Sequence, residues 1–289
     1  AAGVLSIVAA SCGSSHEAAR DDSSGRAVLD RSTGGITLPL DAFIAQPGQL
    51  VTINRAADLL VERCMARLGF DYQIPPRPDD DTNLNAHRYG LWSASEAVEI
   101  GYETPVSRET AALQKRNSTS TSAALDAALL GKSRSRGVPK GGCSGESARR
   151  LYRGTKSGAD MQYPEGLGWD AYTASRSKPL VQAAFAKWRA CMSQRGYDID
   201  DPVSGGATLF SKDNQPPPNK EFVPHPSEQE VATARADVAC KRTVHLVEVW
   251  SEAEATLQVK AIAKHRAQLD ASDALRDRVL RNARSVLGR

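Results

Sequence analysis

The chain has 289 residues, of which 37 are Lys or Arg and 34 are Asp or Glu, for a net charge of +3. That length gives one large domain or two small ones, and the near-balance of charge excludes a strongly basic nucleic-acid binder and an acidic tail protein. The apolar share is ordinary for a folded chain, which also excludes a wholly disordered polypeptide and a polytopic membrane protein.

Residues 1–11, Ala-Ala-Gly-Val-Leu-Ser-Ile-Val-Ala-Ala-Ser, carry no charged side chain and lead to Cys12. The run is too short to span a bilayer and reads as the end of a signal-peptide h-region, truncated before its basic start. Ala9-Ala10-Ser11-Cys12 resembles a bacterial lipobox, with Ala9 where Leu usually stands. The resemblance implies that the Cys12 thiol receives a diacylglyceryl group and that Cys12 then becomes the new N-terminus. Acyl chains such as palmitate would supply the membrane affinity, at about 0.8 kcal/mol per buried methylene. The alternative is a secretion signal cleaved nearby, with Cys12 an ordinary cysteine. Both readings export the domain.

Residues 13–49 are rich in Ser, Gly, Asp and Arg and read as a flexible tether. Ile36, Leu38, Leu40, Phe43 and Ile44 could dock its last part. Next comes a helix whose Ile53, Ala57, Leu60, Val61, Cys64 and Leu68 share one face, with Thr52 as its expected N-cap. Ser93-Ala94-Ser95-Glu96 is a capping-box pattern for a short helix ending near Gly101. Ser122 to Leu130 predicts another, stopped by Gly131. Residues 131–169 read as irregular. A further helix carries Val181, Ala184, Phe185, Trp188, Cys191 and Met192 on one face, with Ser177 as cap and Pro179 in its first turn. Residues 200–226, with Pro216-Pro217-Pro218, read as a long extended loop.

Ser227-Glu228-Gln229-Glu230 is the clearest capping box of the chain, and no Gly or Pro interrupts Ser227 to Leu287. One helix of that length would run about 90 Å. A break is expected near Asp270-Ala271-Ser272, residues that favour caps. Residues 228–258 should pack in the domain, leaving 261–289 as a projecting arm with Arg276, Arg278, Arg281, Arg284 and Arg289. Such an arm suits anionic lipid, wall polymer or a partner helix, or is simply a solvated charged helix.

The cysteines carry the clearest signal. Cys64-Met65, Gly69, Phe70 and Asp71 recur as Cys191-Met192, Gly196, Tyr197 and Asp198 at a constant offset of 127 residues. Each copy reads as a helix closed by Gly and followed by an extended aromatic-Asp segment. Each is followed by one more cysteine, Cys143 or Cys240. An even count outside the cytosol favours disulfides, and the simplest pairing is local, Cys64 with Cys143 and Cys191 with Cys240. Four cysteines allow two other pairings, and four reduced core cysteines are the remaining alternative. No C-x-x-C occurs, which argues against a zinc ribbon or a thioredoxin-type site.

The Cys-Met-x-x-x-Gly-aromatic-Asp element, Gly142-Cys143-Ser144-Gly145-Glu146 with Arg149-Arg150-Leu151, and Ala236-Asp237-Val238-Ala239-Cys240 with Val247-Glu248-Val249-Trp250 resemble a family of secreted lipoproteins from high-GC Gram-positive bacteria. The resemblance covers roughly residues 50–260. It implies export and a lipid anchor and carries no reaction.

Catalytic motifs fail on inspection. Gly141-Gly142-Cys143-Ser144-Gly145 matches a nucleophile elbow, but residues 133–140 cannot supply the strand it needs. Gly131-Lys132-Ser133 lacks the upstream Gly of a P-loop. Asp79-x-Asp81-x-Asn83 starts like a calcium loop but has Leu84 at the turn and Gly90 at the twelfth position, and Asp198, Asp200 and Asp201 share that defect. His16, His87, His225, His245 and His265 show no metal spacing. Tyr152, Tyr163, Trp169, Tyr172, Phe210 and Phe222 fall in irregular segments. They are either satellite core or, where exposed, stacking surfaces for sugar rings.

The expected fold is therefore mainly α: a disulfide-stapled helical domain with a duplicated Cys-Met helix element, long irregular loops and a long C-terminal helix or arm. The expected organisation is a signal remnant and lipobox at 1–12, a tether at 13–49, the domain at 50–260 in halves of about 50–170 and 171–260, and the basic arm at 261–289. The expected function is that of a lipid-anchored envelope protein on the outer face of the plasma membrane. It would act as a non-catalytic binding, sensing or accessory module, with Cys12 as the lipid site. No catalytic residue, metal or cofactor is expected. Its partners would be the membrane, through the anchor, and an envelope protein or wall polymer, with no nucleic acid. The alternative is an envelope-associated hydrolase whose site forms only in the fold.

Overall fold

The structure, a computed structural model, describes residues 25–74, 85–102, 122–131, 137–156, 158–210 and 226–288. It is mainly helical, with ten α-helices among the described residues and one small hairpin. The elements are β1 (Val28–Asp30), β2 (Gly35–Thr37), a 3-10 turn (Pro39–Phe43), α1 (Pro47–Arg67), α2 (Ala94–Glu99), α3 (Ala123–Leu130), α4 (Gly142–Leu151), α5 (Tyr163–Arg176), α6 (Pro179–Gln194), α7 (Gly205–Phe210), α8 (Glu228–Thr243), α9 (Leu246–Lys264) and α10 (Arg266–Leu287).

Both disulfides form, and with the local pairing. Cys64 on α1 joins Cys143 on α4, and Cys191 on α6 joins Cys240 on α8. Bonds of this kind suit an oxidising compartment. No helix among the described residues is long and apolar enough to cross a membrane. The pairing also disposes of the elbow: Cys143 opens a helix, and its sulfur is already bonded. Gly141 and Gly142 both have positive φ, and a Cβ on Gly142 would collide with the backbone of Leu129 and Gly131. Glycine is needed there because the end of α3 and the start of α4 touch backbone to backbone.

Three capping predictions hold to the residue, the first at Ser93, whose side chain accepts from the Glu96 N–H at the start of α2. The Ser122 side chain accepts from the Leu125 N–H, and Gly131 ends α3 at φ 68°. The Ser227 side chain accepts from the Glu230 N–H at the start of α8. Two others shift. α1 begins at Pro47 rather than after Thr52, whose hydroxyl instead donates to the Gly48 carbonyl inside the helix. α6 is capped by Lys178 rather than Ser177. Pro at the first helical position explains both starts, since its fixed φ suits a helix and its missing N–H has no partner to lose.

The expected docking of Ile36, Leu38, Leu40 and Phe43 holds, and the tether is corrected over residues 25–49, which pack on the helices. β1 and β2 pair antiparallel, Leu29 opposite Ile36, and Ile36, Leu38, Leu40 and Phe43 are buried. Leu40 and Phe43 meet Leu269 of α10, and the Leu40 N–H donates to Gln258 Oε1 at 2.9 Å. Few large apolar residues suffice here because the segment lies across helices that supply the rest of the contact. The segment 131–169 is likewise corrected, since α4 and the start of α5 lie within it.

The projecting arm is corrected too. The long run after Ser227 breaks twice, at Val244-His245 and at His265, rather than at 270–272. His265 stands between α9 and α10, so α10 turns back over α1, α4 and α5. There Leu275, Val279, Leu280 and Ala283 pack with Ile53, Ala56 and Leu151. Arg278, Arg281 and Arg284 stay on its exposed side. The largest core gathers Trp188, Trp250, Tyr89, Phe185, Met192 and Leu246 from α5, α6, α8, α9 and the Tyr89–Trp92 segment. The expected arm packs on the first half, α10 against α1, and α5, which spans the expected boundary at 170–171, packs on α9.

Candidate binding surface

A reactive site would need its ionisable groups accessible, and those of the interior sit in two closed networks. Glu254 of α9 has a fully buried side chain. Arg88 donates to it from Nε to both oxygens at 3.0 Å and from Nη2 at 2.6 Å. The Tyr89 hydroxyl donates to Oε2 at 2.8 Å and the Gln258 amide to Oε1 at 2.7 Å. Burial, then the Glu254 charge, pushes the Tyr89 phenol far above its ordinary range. A carboxylate held by a bidentate guanidinium and two further donors has its acceptor sites filled.

A second network joins the disulfide region. Asp237 accepts from Trp188 Nε1 at 2.8 Å, from Lys241 Nζ at 3.0 Å and from the Tyr102 hydroxyl at 3.3 Å. Lys241 also donates to the Leu91 carbonyl at 2.7 Å. Burial pushes the Asp237 carboxyl up and the Lys241 ammonium down, and each is the main support of the other's charged form. A void that Lys241 helps to line is about 10 Å³, room for about one water. Both networks hold helices together and present no reactive atom to solvent.

What faces solvent is different in kind. Between the hairpin and α9 lies an open groove of about 690 Å³, floored by Leu29 and Val249 and crossed by the ion pairs Arg31–Glu248 (2.6 Å) and Arg26–Glu252 (3.3 Å). On α5, Trp169 is 65% exposed, whereas Trp92, Trp188 and Trp250 are at most 4% exposed. Its ring stacks on Tyr172 at 5.4 Å, and Tyr172 stacks on the buried Trp250 at 5.1 Å. Arg88 lies over the Tyr172 ring at 5.1 Å. An indole is thus displayed at the end of an aromatic ladder rooted in the main core.

The expected site residues fall as follows. Cys12 lies outside the described residues, as do Asp79, Asp81 and Asn83 of the calcium-like stretch, His16, His225, Phe222 and Arg289. Asp201 is paired with Arg176 rather than open to a cation. His87 meets Glu96 at 2.9 Å, His265 meets the Tyr163 hydroxyl at 2.8 Å, and His245 occupies the break between α8 and α9 at φ 52°. No group of three or more His, Cys, Asp or Glu among the described residues is arranged to hold a metal. Tyr172 and Phe210 are core, while Trp169 and Tyr152 are exposed. Sequence reasoning missed the Arg88–Glu254 pair, whose members stand 166 residues apart and share no motif.

Fold and surface define a disulfide-stapled helical domain with a closed polar interior and one indole displayed to solvent. Searches against protein-family models, curated proteins and solved structures match nothing to this chain.

Proposed function

We propose that this chain is a non-catalytic binding module of the cell envelope, held on the outer face of the plasma membrane by a lipid on Cys12. The observation that carries the reading is the contrast just described. Glu254, Asp237, Lys241 and Arg88 are consumed inside the fold, while the outer surface offers a displayed indole and a shallow groove. General acid, base or nucleophilic chemistry needs a perturbed group within reach of substrate. Binding needs only a pre-formed surface. The two disulfides and the apolar run before Cys12 support export, and the resemblance to secreted lipoproteins agrees with it.

Two measurements test the reading. In cells expressing the full-length precursor, Cys12→Ser is expected to move the protein from the membrane fraction to the medium; unchanged retention removes the anchor. A pull-down from detergent-solubilised envelope with the anchored protein is expected to recover a saturable partner or wall polymer. Recovery of bulk lipid alone removes the binding module.

A further inference from the structure

We propose that the open face of the Trp169 indole is a stacking subsite for a pyranose ring of a neutral or amino-sugar polysaccharide, with the Glu165 carboxylate accepting from the sugar's hydroxyl or ammonium groups. This deepens the binding-module reading and rests on it. A lone exposed tryptophan is by itself unremarkable, so the argument stands on what surrounds this one.

One ring face is fixed on Tyr172, itself held between Trp250 and the Arg88 guanidinium, so the indole is pre-organised and little side-chain freedom is lost on binding. A helical side chain leans over the turn before it, which for Trp169 is the turn of Glu165 and Gly166. Gly166 lies inside α5 without positive φ, and a Cβ there would meet nothing within 4 Å. Neither backbone geometry nor packing asks for glycine, which costs about 0.5–1 kcal/mol against Ala in a helix. Its effect is to leave the turn before the indole free of a side chain.

Charge selects the ligand class. Glu165 stands four residues before Trp169, on the same helix face, and makes no hydrogen bond or ion pair among the described residues. Partial burial, then the nearby Asp160, pushes its carboxyl above the usual range. Exposed Asp170 adds a second negative charge next to the indole. The cations of this region are engaged, Arg88 by Glu254 and Arg176 by Asp201. An acidic rim repels anionic lipid headgroups and polyanionic polymers. It favours rings whose hydroxyls or ammonium groups can donate to a carboxylate while their C–H faces cover the indole.

The test uses the exported domain with chitin oligosaccharides and chitosan oligomers as neutral and amino-sugar probes. Vesicles of phosphatidylglycerol are the competing surface. Fluorescence is informative because the other three tryptophans are buried. Saccharide binding with a change in indole emission is expected, about tenfold weaker in Trp169→Ala. Gly166→Gln, which places a side chain on that open turn and leaves the indole in place, is expected to weaken it to a similar degree with unaltered circular dichroism and a Tm that does not fall. Saccharide binding unaffected by either substitution overturns the subsite and leaves the binding-module reading standing. The absence of saccharide binding also overturns the subsite, and the module is then judged by the envelope pull-down alone. Vesicle binding that Trp169→Ala abolishes assigns the indole to the membrane and overturns the proposal.

Discussion

The two copies of the Cys-Met element share a helix end but differ in what surrounds it. In both, the glycine after the helix is left-handed, Gly69 at φ 83° and Gly196 at φ 85°. In both, the next N–H returns to the methionine carbonyl at 3.0 Å, from Phe70 to Met65 and from Tyr197 to Met192. In both, side chains three residues from the bonded cysteines meet across the bridge. In the first copy these are Arg67 and Glu146, beyond the cysteines, at 2.7 Å on the exposed side. In the second they are Trp188 and Asp237, before the cysteines, at 2.8 Å in the interior, with Lys241 completing the pair. The position matching Trp188 in the first copy is Val61, which has nothing to donate. One local motif thus carries an exposed ion pair over a small core in one place and anchors the main core in the other.

The sharpest way to separate the copies is to remove one cation from each. Lys241→Met leaves Asp237 buried without its partner and is expected to cost about 3–5 kcal/mol in urea unfolding. Arg67→Met, at a side chain 58% exposed, is expected to cost about 0–1 kcal/mol because solvent screens the pair. Equal losses would erase the distinction.

Replacing each cysteine pair by serine comes next. The bridges span 79 and 49 residues. Chain entropy then predicts roughly 4 kcal/mol for each, differing by about 0.4. A larger loss at Cys191–Cys240, read by Tm under non-reducing conditions, would measure the contribution of the surrounding core. A loss at Cys64–Cys143 that exceeds the other by more than that ~0.4 kcal/mol would contradict a greater core contribution at Cys191–Cys240.

Gly69→Ala and Gly196→Ala are expected to cost about 1–2 kcal/mol each, and equally, because the penalty is local and comes from the left-handed backbone. Unequal values would show that tertiary packing strains one turn more than the other.

The smallest effect concerns acid. Burial works against the Asp201 charge, but the Val203 N–H, the Arg176 guanidinium and the Ser204 N–H outweigh it and hold the carboxyl below its ordinary value. Its stabilisation is therefore present above the unfolded-state pKa and lost as pH falls through the lower folded value. Asp201→Asn is expected to flatten the acid limb of a Tm–pH profile slightly. At the matching position the first copy has Ile74, which does not titrate. An unchanged acid limb would remove Asp201 from the account.

Local signals were legible wherever a few neighbouring residues decide the outcome. The caps at Ser122 and Ser227, the stop at Gly131 and both cysteine helices needed only their own side chains and backbone. The buried faces of α1 and α6 followed from 3.6-residue spacing, since Ile53, Val61, Cys64, Trp188 and Met192 are all buried. The hairpin at 25–37 was not legible, because its strands are three residues each and gain their burial from helices far along the chain. Nor were the breaks beside His245 and His265. No Gly or Pro marks them, and what rewards each break is the docking of Leu246 and Trp250, or of Leu269 and Leu275, against distant elements.

The sequence by itself determined that the chain is helical, duplicated about a Cys-Met turn and suited to an oxidising compartment, because those properties reside in spacing, caps and cysteine number. Only the tertiary structure decided that the C-terminal helix packs inward, that Glu254 and Asp237 are closed off by Arg88 and Lys241, and that Trp169 alone among the tryptophans faces solvent. The exposure of an aromatic side chain depends on which distant helices cover its neighbours, and no window of local sequence contains them.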